Sequence, residues 1–424
     1  MKTTRFLLPL AFIRLFMAEI ACHASEKSND IFRIDTIHEI KIHTNVPNYW
    51  EILINHYNQY HDADTNDKTP IMVDVLIDGQ RIDSVGIKLK GNFSFEIPSD
   101  KKSMKIDFNA FVKGREYDGL RALNLSNEFP DPSFLRNTIA FKILRNAGAI
   151  APRTSFAKVY FNNVYKGLYV LIEQIDKSFL HDRFEGQGGD LIKAQAGSLV
   201  WLEGNEEAFR KSYTFKSKGD SSAWARFISF AKKINNTDDS SFFEKLSPEF
   251  DFESYLPVFA ADIVFNNWDS YFFGQNYYLF RENCSGKYFY LPWDYNVSLN
   301  FYDEERGPFE LFARGDNAHF FQLPLPAHVT KNKILRKKYL DQICRINSQL
   351  SEDSLRDFIL KMHLLIEPEL LHDTGKVITM KQFGESLQTR IGISEIDFDG
   401  LLYFIKTRHE QIKQLLKAEG YSCN

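Results

Sequence analysis

Over residues 71–111 apolar and polar positions alternate, as in Met72-Val73-Asp74-Val75-Leu76-Ile77, and Asp78-Gly79 supplies a turn. A period of two sends successive side chains to opposite faces of a strand, so this stretch predicts a β-meander. The period then changes. Asp131-Pro132 offers a helix start, Leu135, Ile139, Ile143 and Leu144 recur at helical spacing, and Gly148 closes the segment. Two further β-rich runs, 155–161 and 164–174, flank Asn162-Asn163, a pair that tolerates the positive φ of a tight hairpin. Beyond Asp176 the chain reads as helices interrupted by loops, including Gly186-Gln187-Gly188-Gly189, with a short strand pair at 277–280 and 288–291. From Lys331 onward the periodicity is helical and ends in an amphipathic segment over 398–416. The expected fold class is α+β, with a β-rich lobe carrying one helix over 25–176 and a helical lobe over 177–424. No internal repeat or low-complexity linker interrupts the chain, so the two lobes are expected to work as one unit.

Composition adds that this is an ordinary globular chain: 44% hydrophobic, 25% charged and 15% aromatic, with 38 Phe and 19 Tyr. The 52 basic and 56 acidic residues leave a net charge of −4, which provides no global field for a nucleic-acid backbone. Nucleic acid is therefore not an expected partner. At the N-terminus Lys2 and Arg5 precede an apolar run from Phe6 to Ile13. After Arg14 come Leu15-Phe16-Met17-Ala18 and a small-residue site at Cys22-His23-Ala24. This order reads as a cleaved export signal over 1–24 and predicts an extracytoplasmic mature chain, secreted, periplasmic or at the cell surface. No later stretch reaches the roughly 18 apolar residues that span a bilayer. Cys22, Cys284, Cys344 and Cys423 have no zinc-site spacing, and removal of the signal leaves three. They allow one disulfide without choosing its pair.

The common short signatures of phosphate loops, zinc helices, nucleophile elbows and dinucleotide folds are missing. A polar cluster in an apolar setting stands out instead: Asn266-Asn267-Trp268-Asp269, then Gln275-Asn276, then Pro292-Trp293-Asp294. A hairpin over 277–291 would return its ends to one place and bring Asp269 to Asp294. Phosphoryl transfer needs one carboxylate to orient the attacking hydroxyl, and a second carboxylate with an Asn oxygen to hold Mg²⁺ against the phosphates. The alternative is that these Asx residues cap helices and turns around the hairpin, the commoner fate of any one of them.

The run Val85-Gly86-Ile87-Lys88-Leu89-Lys90-Gly91-Asn92-Phe93-Ser94-Phe95, with Lys101-Lys102-Ser103-Met104-Lys105-Ile106-Asp107-Phe108, resembles the "RxRGNSS … KK-x-x-K-I-x-F" opening of the CotH (spore-coat protein H) family. Leu123-Asn124-Leu125, Asp131-Pro132-Ser133-Phe134-Leu135-Arg136, the block from Tyr165 to Asp176, and Pro292-Trp293-Asp294 follow in the family's order. The resemblance implies an atypical protein-kinase-like bilobal fold enclosing ATP, with Mg²⁺ or Mn²⁺, that phosphorylates Ser or Thr hydroxyls of protein substrates. By that resemblance Lys90, Gly91 and Asn92 form the turn covering the phosphates. Lys105 is the strand lysine that grips them, favoured over Lys102, and Glu173 opens the segment that meets adenine. Asp269 matches the catalytic-loop aspartate, and Asn276 and Asp294 match the metal ligands. The family's usual Pro-Trp-Asp-x-Asp is here Pro-Trp-Asp-Tyr-Asn, ending at Asn296. Members are also associated with host-cell attachment, so a surface adhesin, a pseudokinase or an envelope or coat assembly factor is the competing expectation.

Overall fold

The computed structural model describes residues 30–63, 69–184, 188–217, 219–301, 308–314 and 316–423. The expected export signal, together with Gly186 and Gln187, lies outside them. Seven strands close a barrel in the order β1-β2-β3-β4-β5-β7-β6. They are β1 (Ile37–His43), β2 (Ile71–Ile77), β3 (Gln80–Leu89), β4 (Met104–Asp107), β5 (Ala122–Ser126), β6 (Thr154–Phe161) and β7 (Val164–Glu173). The meander legible in the sequence supplies β2 to β4. Closure comes from β1, which runs antiparallel to β2 and parallel to β6, with Ile37 opposite Phe156 and Ile42 opposite Phe161. Alternation places Ile40, Ile42, Val73, Val75, Ile87, Leu89, Met104, Ile106, Leu123 and Leu125 in the barrel core. The β6–β7 turn has Asn162 and Asn163 at φ 46° and 65°, as the expected hairpin requires.

Among the described residues this part carries two α-helices rather than the one expected, α1 (Tyr49–Ala63) and α2 (Arg136–Asn146). In α1, Leu53 and Tyr57 are the buried anchors, four residues apart, while Trp50, Ile52 and Ile54 are only partly covered. Apolar residues therefore occur around more than one face, and the helical period is blurred. The second helix begins at Arg136, beyond the Asp131-Pro132 start signal. Asp131 caps it from a distance, its Oδ2 accepting from Leu135 N and Arg136 N at 2.9 Å each.

The rest is helical around a small sheet: α3 (Lys177–Arg183), β8 (Gly189–Ala194), α4 (Glu206–Ser212), β9 (Tyr213–Phe215), α5 (Ala223–Asn236), α6 (Phe242–Leu246) and α7 (Phe252–Val264), then β10 (Tyr277–Glu282) and β11 (Tyr288–Pro292). Next come α8 (Pro324–Lys331), α9 (Lys333–Gln349), α10 (Glu352–His372), α11 (Met380–Glu385), the pair β12 (Ile391–Ile393) and β13 (Ile396–Phe398), and α12 (Leu401–Ala418). The expected strand pair is present as β10–β11 and is extended into the order β11-β10-β8-β9. A second apolar core runs without a break from α2 and the outer faces of β6 and β7 into α7, α9 and α12. Arg408 of α12 is fully buried and donates to the carbonyls of Ile263, Val264 and Phe309. It thereby satisfies acceptors at the C-terminal end of α7, where a cation is favoured by the helix dipole.

Two ties reinforce the assembly. Lys101, beside β4, pairs with Asp373 at the end of α10 at 2.6 Å, both side chains being buried. Asp373 also accepts from Leu168 N at 3.0 Å, and Gly167 (φ 110°) passes so close that a Cβ there would strike its carboxylate. The second tie is a disulfide between Cys344 of α9 and Cys423, which leaves Cys284 free and exposed. Among the described residues no helix is long and apolar enough to cross a membrane.

Candidate active site

Between the barrel and the β8–β11 sheet lies a cleft of about 840 Å³. Its upper wall follows from strand alternation. With Ile87, Leu89, Met104 and Ile106 inside the barrel, Lys88 and Lys105 must point out, and the two are direct cross-strand partners. The floor comes from β8 and β10, where Lys193 faces Tyr278 and Leu191 faces Phe280 in register. Gln174, Ile175, Asp176 and Ser178 also line the cleft. Lys105 is driven down to about 8, first by burial and then by Lys88, with Asp176 and Asp107 opposing. Across the cleft Asp176 is pushed up to about 6 by burial, against Lys105 and the two N–H groups it caps at the start of α3. Lys216 also falls to about 8 through burial and the charges of Lys193, Lys105 and Lys88. None of Lys88, Lys105, Lys193 and Lys216 has a carboxylate ion-pair partner among the described residues, so the cleft offers its positive charge to an anion.

Lys193 links the cleft to the acidic cluster, since its charge acts on Lys105 and Lys216 on one side and on Lys90 and Asp294 on the other. The hairpin performs the closure its sequence promised: Tyr277 pairs with Pro292, and Trp293 N donates to Asn276 O at 2.9 Å. Asn276 Nδ2 donates to Asp269 Oδ2 at 3.0 Å, and Gln275 donates to Asp269 Oδ1. Asp269 is pushed up to about 6, chiefly by burial, with Asp294 adding repulsion against the hydrogen bonds of Gln275 and Asn276. Asp294 is also raised by burial, opposed by Lys90. Asn276 and Asp294 both hold left-handed backbone, at φ 57° and 53°. Strain of this kind persists only where the surroundings impose it.

The residues singled out in the sequence do not all gather at one place. Asp269, Asn276, Asp294 and Lys90 come together, with Lys90 Nζ 5.3 Å from the Trp293 ring centroid. Lys90 is driven down to about 8 by burial, with Asp294 and Glu128 opposing. Lys105 stands in the cleft wall, its charge acting on Lys90, whereas Lys102 spends its Nζ on the carbonyls of Phe95 and Ile97, at 2.6 and 2.8 Å. Gly91 and Asn92 form the turn after β3. Gly91 has φ 104°, and its carbonyl accepts from Tyr57 of α1 at 2.5 Å. Glu173 faces away from the cleft. Its carboxylate is buried between Arg153 and Arg183 and held ionised, burial being outweighed by the two guanidinium groups. Asn266 and Asn267 serve the turn itself, donating to Asn300 O and Asp262 Oδ1.

Sequence reasoning passed over Glu128, Asn137, Lys193 and Asp262. Asp262 of α7, pushed up to about 7 by burial, accepts from Asn267 and from Tyr295 Oη at 2.7 Å, joining the loop of Asp269 to that of Asp294. The available signal was modest: Glu128 is a carboxylate directly before an apolar Phe-Pro pair. For a divalent cation the donor set fits in a specific way. No group of three or more His, Cys, Asp or Glu among the described residues is arranged to hold a metal. An ion here would rest on Asp294 and on Asn276 Oδ1, since Nδ2 is committed to Asp269, with phosphate oxygens completing the shell. This is how Mg²⁺ is commonly bound.

The chain matches the family described as CotH kinase protein over residues 87–410, and it belongs to that family. It is 23% identical over 357 residues to Inner spore coat protein H of Bacillus subtilis, covering 82% of this chain and 92% of that protein. Invasin CotH2 of Rhizopus delemar is 22% identical over 268 residues, covering 58% of this chain and 44% of the invasin. Among solved structures, a chain of the Shewanella oneidensis MR-1 HipA, HipB and operator DNA complex aligns with a TM-score of 0.32 and 14% identity, over 71% of this chain and 58% of that one. The Helicobacter pylori proinflammatory kinase CtkA aligns with a TM-score of 0.27 and 13% identity, over 74% of this chain and 90% of its own. The family match is what carries the assignment.

Proposed function

We propose that the protein is an exported kinase that transfers the γ-phosphate of ATP to Ser or Thr hydroxyls of protein substrates. The observation that carries this reading is the meeting of Asp269, Asn276 and Asp294 beside Lys90, with Lys193 joining them to the lysine-lined cleft. Adenine is assigned to the end bounded by Gln174–Asp176, Leu191 and Phe280, and the triphosphate to the lysines leading toward Lys90. A divalent cation held by Asp294 and Asn276 would offset phosphate charge and align the leaving group. Asp269, aimed by Gln275 and Asn276, accepts the acceptor hydroxyl's proton as its oxygen attacks the γ-phosphorus and the bond to the β–γ bridging oxygen breaks, releasing ADP. Lys90 and Lys193 stabilise the charge on the phosphoryl oxygens. Export is supported by the N-terminal sequence and by the Cys344–Cys423 disulfide, a bond that persists in oxidising compartments.

The test is incubation of the purified chain, begun at Ser25, with γ-labelled ATP and Mg²⁺ or Mn²⁺, followed by mass spectrometry of modified hydroxyls. Label on Ser or Thr is expected. A second reading, a surface binding protein, is favoured by the similarity to a protein named an invasin. It predicts no nucleotide binding with either metal.

A further inference from the structure

The loop carrying Asp294 is held from a direction that the hairpin does not supply. Asn137, in the first turn of α2, is 1% exposed, and its Oδ1 accepts from Tyr295 N at 2.7 Å. Its Nδ2 lies 3.2 Å from each carboxyl oxygen of Glu128, itself 1% exposed. Among the groups acting on the Asp294 carboxylate, this amide is a minor favourable one, behind burial and Lys90. One side chain thus addresses residue 294, the residue after it, and a buried carboxyl group. A parallel tie runs beside it, Asn296 Nδ2 donating to Phe129 O at 3.0 Å.

An amide side chain has two chemically unlike ends, a donor and an acceptor, and a partner at one end fixes which way it faces. Glu128 places acceptor oxygens at the nitrogen end, so the oxygen end must face Tyr295 N. Neither partner can drift. Glu128 sits on left-handed backbone at φ 56°, and the start of α2 is knotted by the fully buried Asp131–Arg136 pair at 2.7 Å. Arg136 continues to Asp399 O at 2.7 Å, so the knot reaches the segment before α12. An apolar residue at 137 could fill the same volume but could not hold Tyr295 N or Asp294.

We propose that Asn137, oriented by Glu128, is a positioning residue that presents the Asp294 carboxylate to the nucleotide-bound cation, so that the placement of α2 sets metal affinity. This rests on the reading of Asp294 as a metal ligand. Partners that orient a ligating carboxylate typically change metal affinity by about 10–100-fold when removed.

The experiment measures Mn²⁺ binding by electron paramagnetic resonance to the full chain with a non-hydrolysable ATP analogue, beside thermal melting and metal-free nucleotide binding. Asn137→Ala should lower Mn²⁺ affinity by about 10-fold or more. Metal-free nucleotide binding should be little changed, and turnover should recover at saturating Mn²⁺. Glu128→Leu should behave like Asn137→Ala, and Glu128→Gln, which keeps an acceptor oxygen for Asn137, should recover most of the loss. Should Asn137→Ala fail to fold, the two Glu128 variants carry the comparison. Wild-type Mn²⁺ affinity in a folded Asn137→Ala or Glu128→Leu protein overturns this inference alone, as do equal losses in Glu128→Leu and Glu128→Gln. Failure of the unmodified chain to bind Mn²⁺ with nucleotide overturns the metal-ligand reading as well.

Discussion

A turn-capping aspartate accepts from backbone N–H groups, and Asn can replace it at small cost. Asp269 instead accepts from the side chains of Gln275 and Asn276, and burial pushes it up to about 6 with Asp294 close enough to add repulsion. On the kinase reading, Asp269→Asn keeps the shape but removes the proton acceptor, so transfer should fall by about 10²–10⁴-fold while ATP binding persists. The pH profile gives a second check. A carboxyl group titrating near 6 is protonated below that value, so kcat/KM should decline as pH falls through about 6, and the residual activity of Asp269→Asn should lack that limb. Equal transfer by both proteins would return Asp269 to the role of a cap. Three of the residues at this point, Asp269, Asn276 and Asp294, were legible because a hairpin signal between them implied that they meet. Glu128 and Asn137 were not, since their approach depends on how α2 docks, which no local pattern encodes.

At the scale of elements, period-two alternation and the Asn162-Asn163 turn were enough to read β2 to β4 and the β6–β7 hairpin. The amphipathic C-terminal segment likewise became α12. What escaped was α1, whose apolar residues spread over more than one face, and the partnership between the barrel and α10. That partnership centres on Lys101 and Asp373, far apart in sequence and identifiable only once both are buried. Removing one partner of a buried pair strands the other's charge, so Asp373→Ala should destabilise the protein by about 3–5 kcal/mol. The double change Lys101→Met with Asp373→Asn should cost less, because no uncompensated charge remains and the amide oxygen still accepts from backbone N–H groups. Denaturant melts of the three proteins decide it. If the single and double variants are equally destabilised, the cost lies in packing around Gly167 rather than in the charge.

On the scale of the whole molecule, the family match begins at Ile87, inside β3, whereas the barrel begins with β1 at Ile37. A fragment trimmed to 87–410 would therefore keep every residue assigned to chemistry, yet lose β1, β2 and most of β3. It would also lose Tyr57, whose hydroxyl holds the Gly91 carbonyl and whose ring stacks on Phe95. Such a fragment should express as aggregated material, whereas a chain starting near Asp30 should remain monodisperse, as size-exclusion chromatography would report. Monodisperse, nucleotide-binding 87–410 would show the first staves to be dispensable. The reason lies in the ring itself. A closed barrel has no free edge, and opening it exposes the unpaired backbone of β6 and of what remains of β3, two adhesive borders on one molecule. Wherever copies of the chain lie close together, an intact seam between β1 and β6 is what keeps each one from stitching itself to the next.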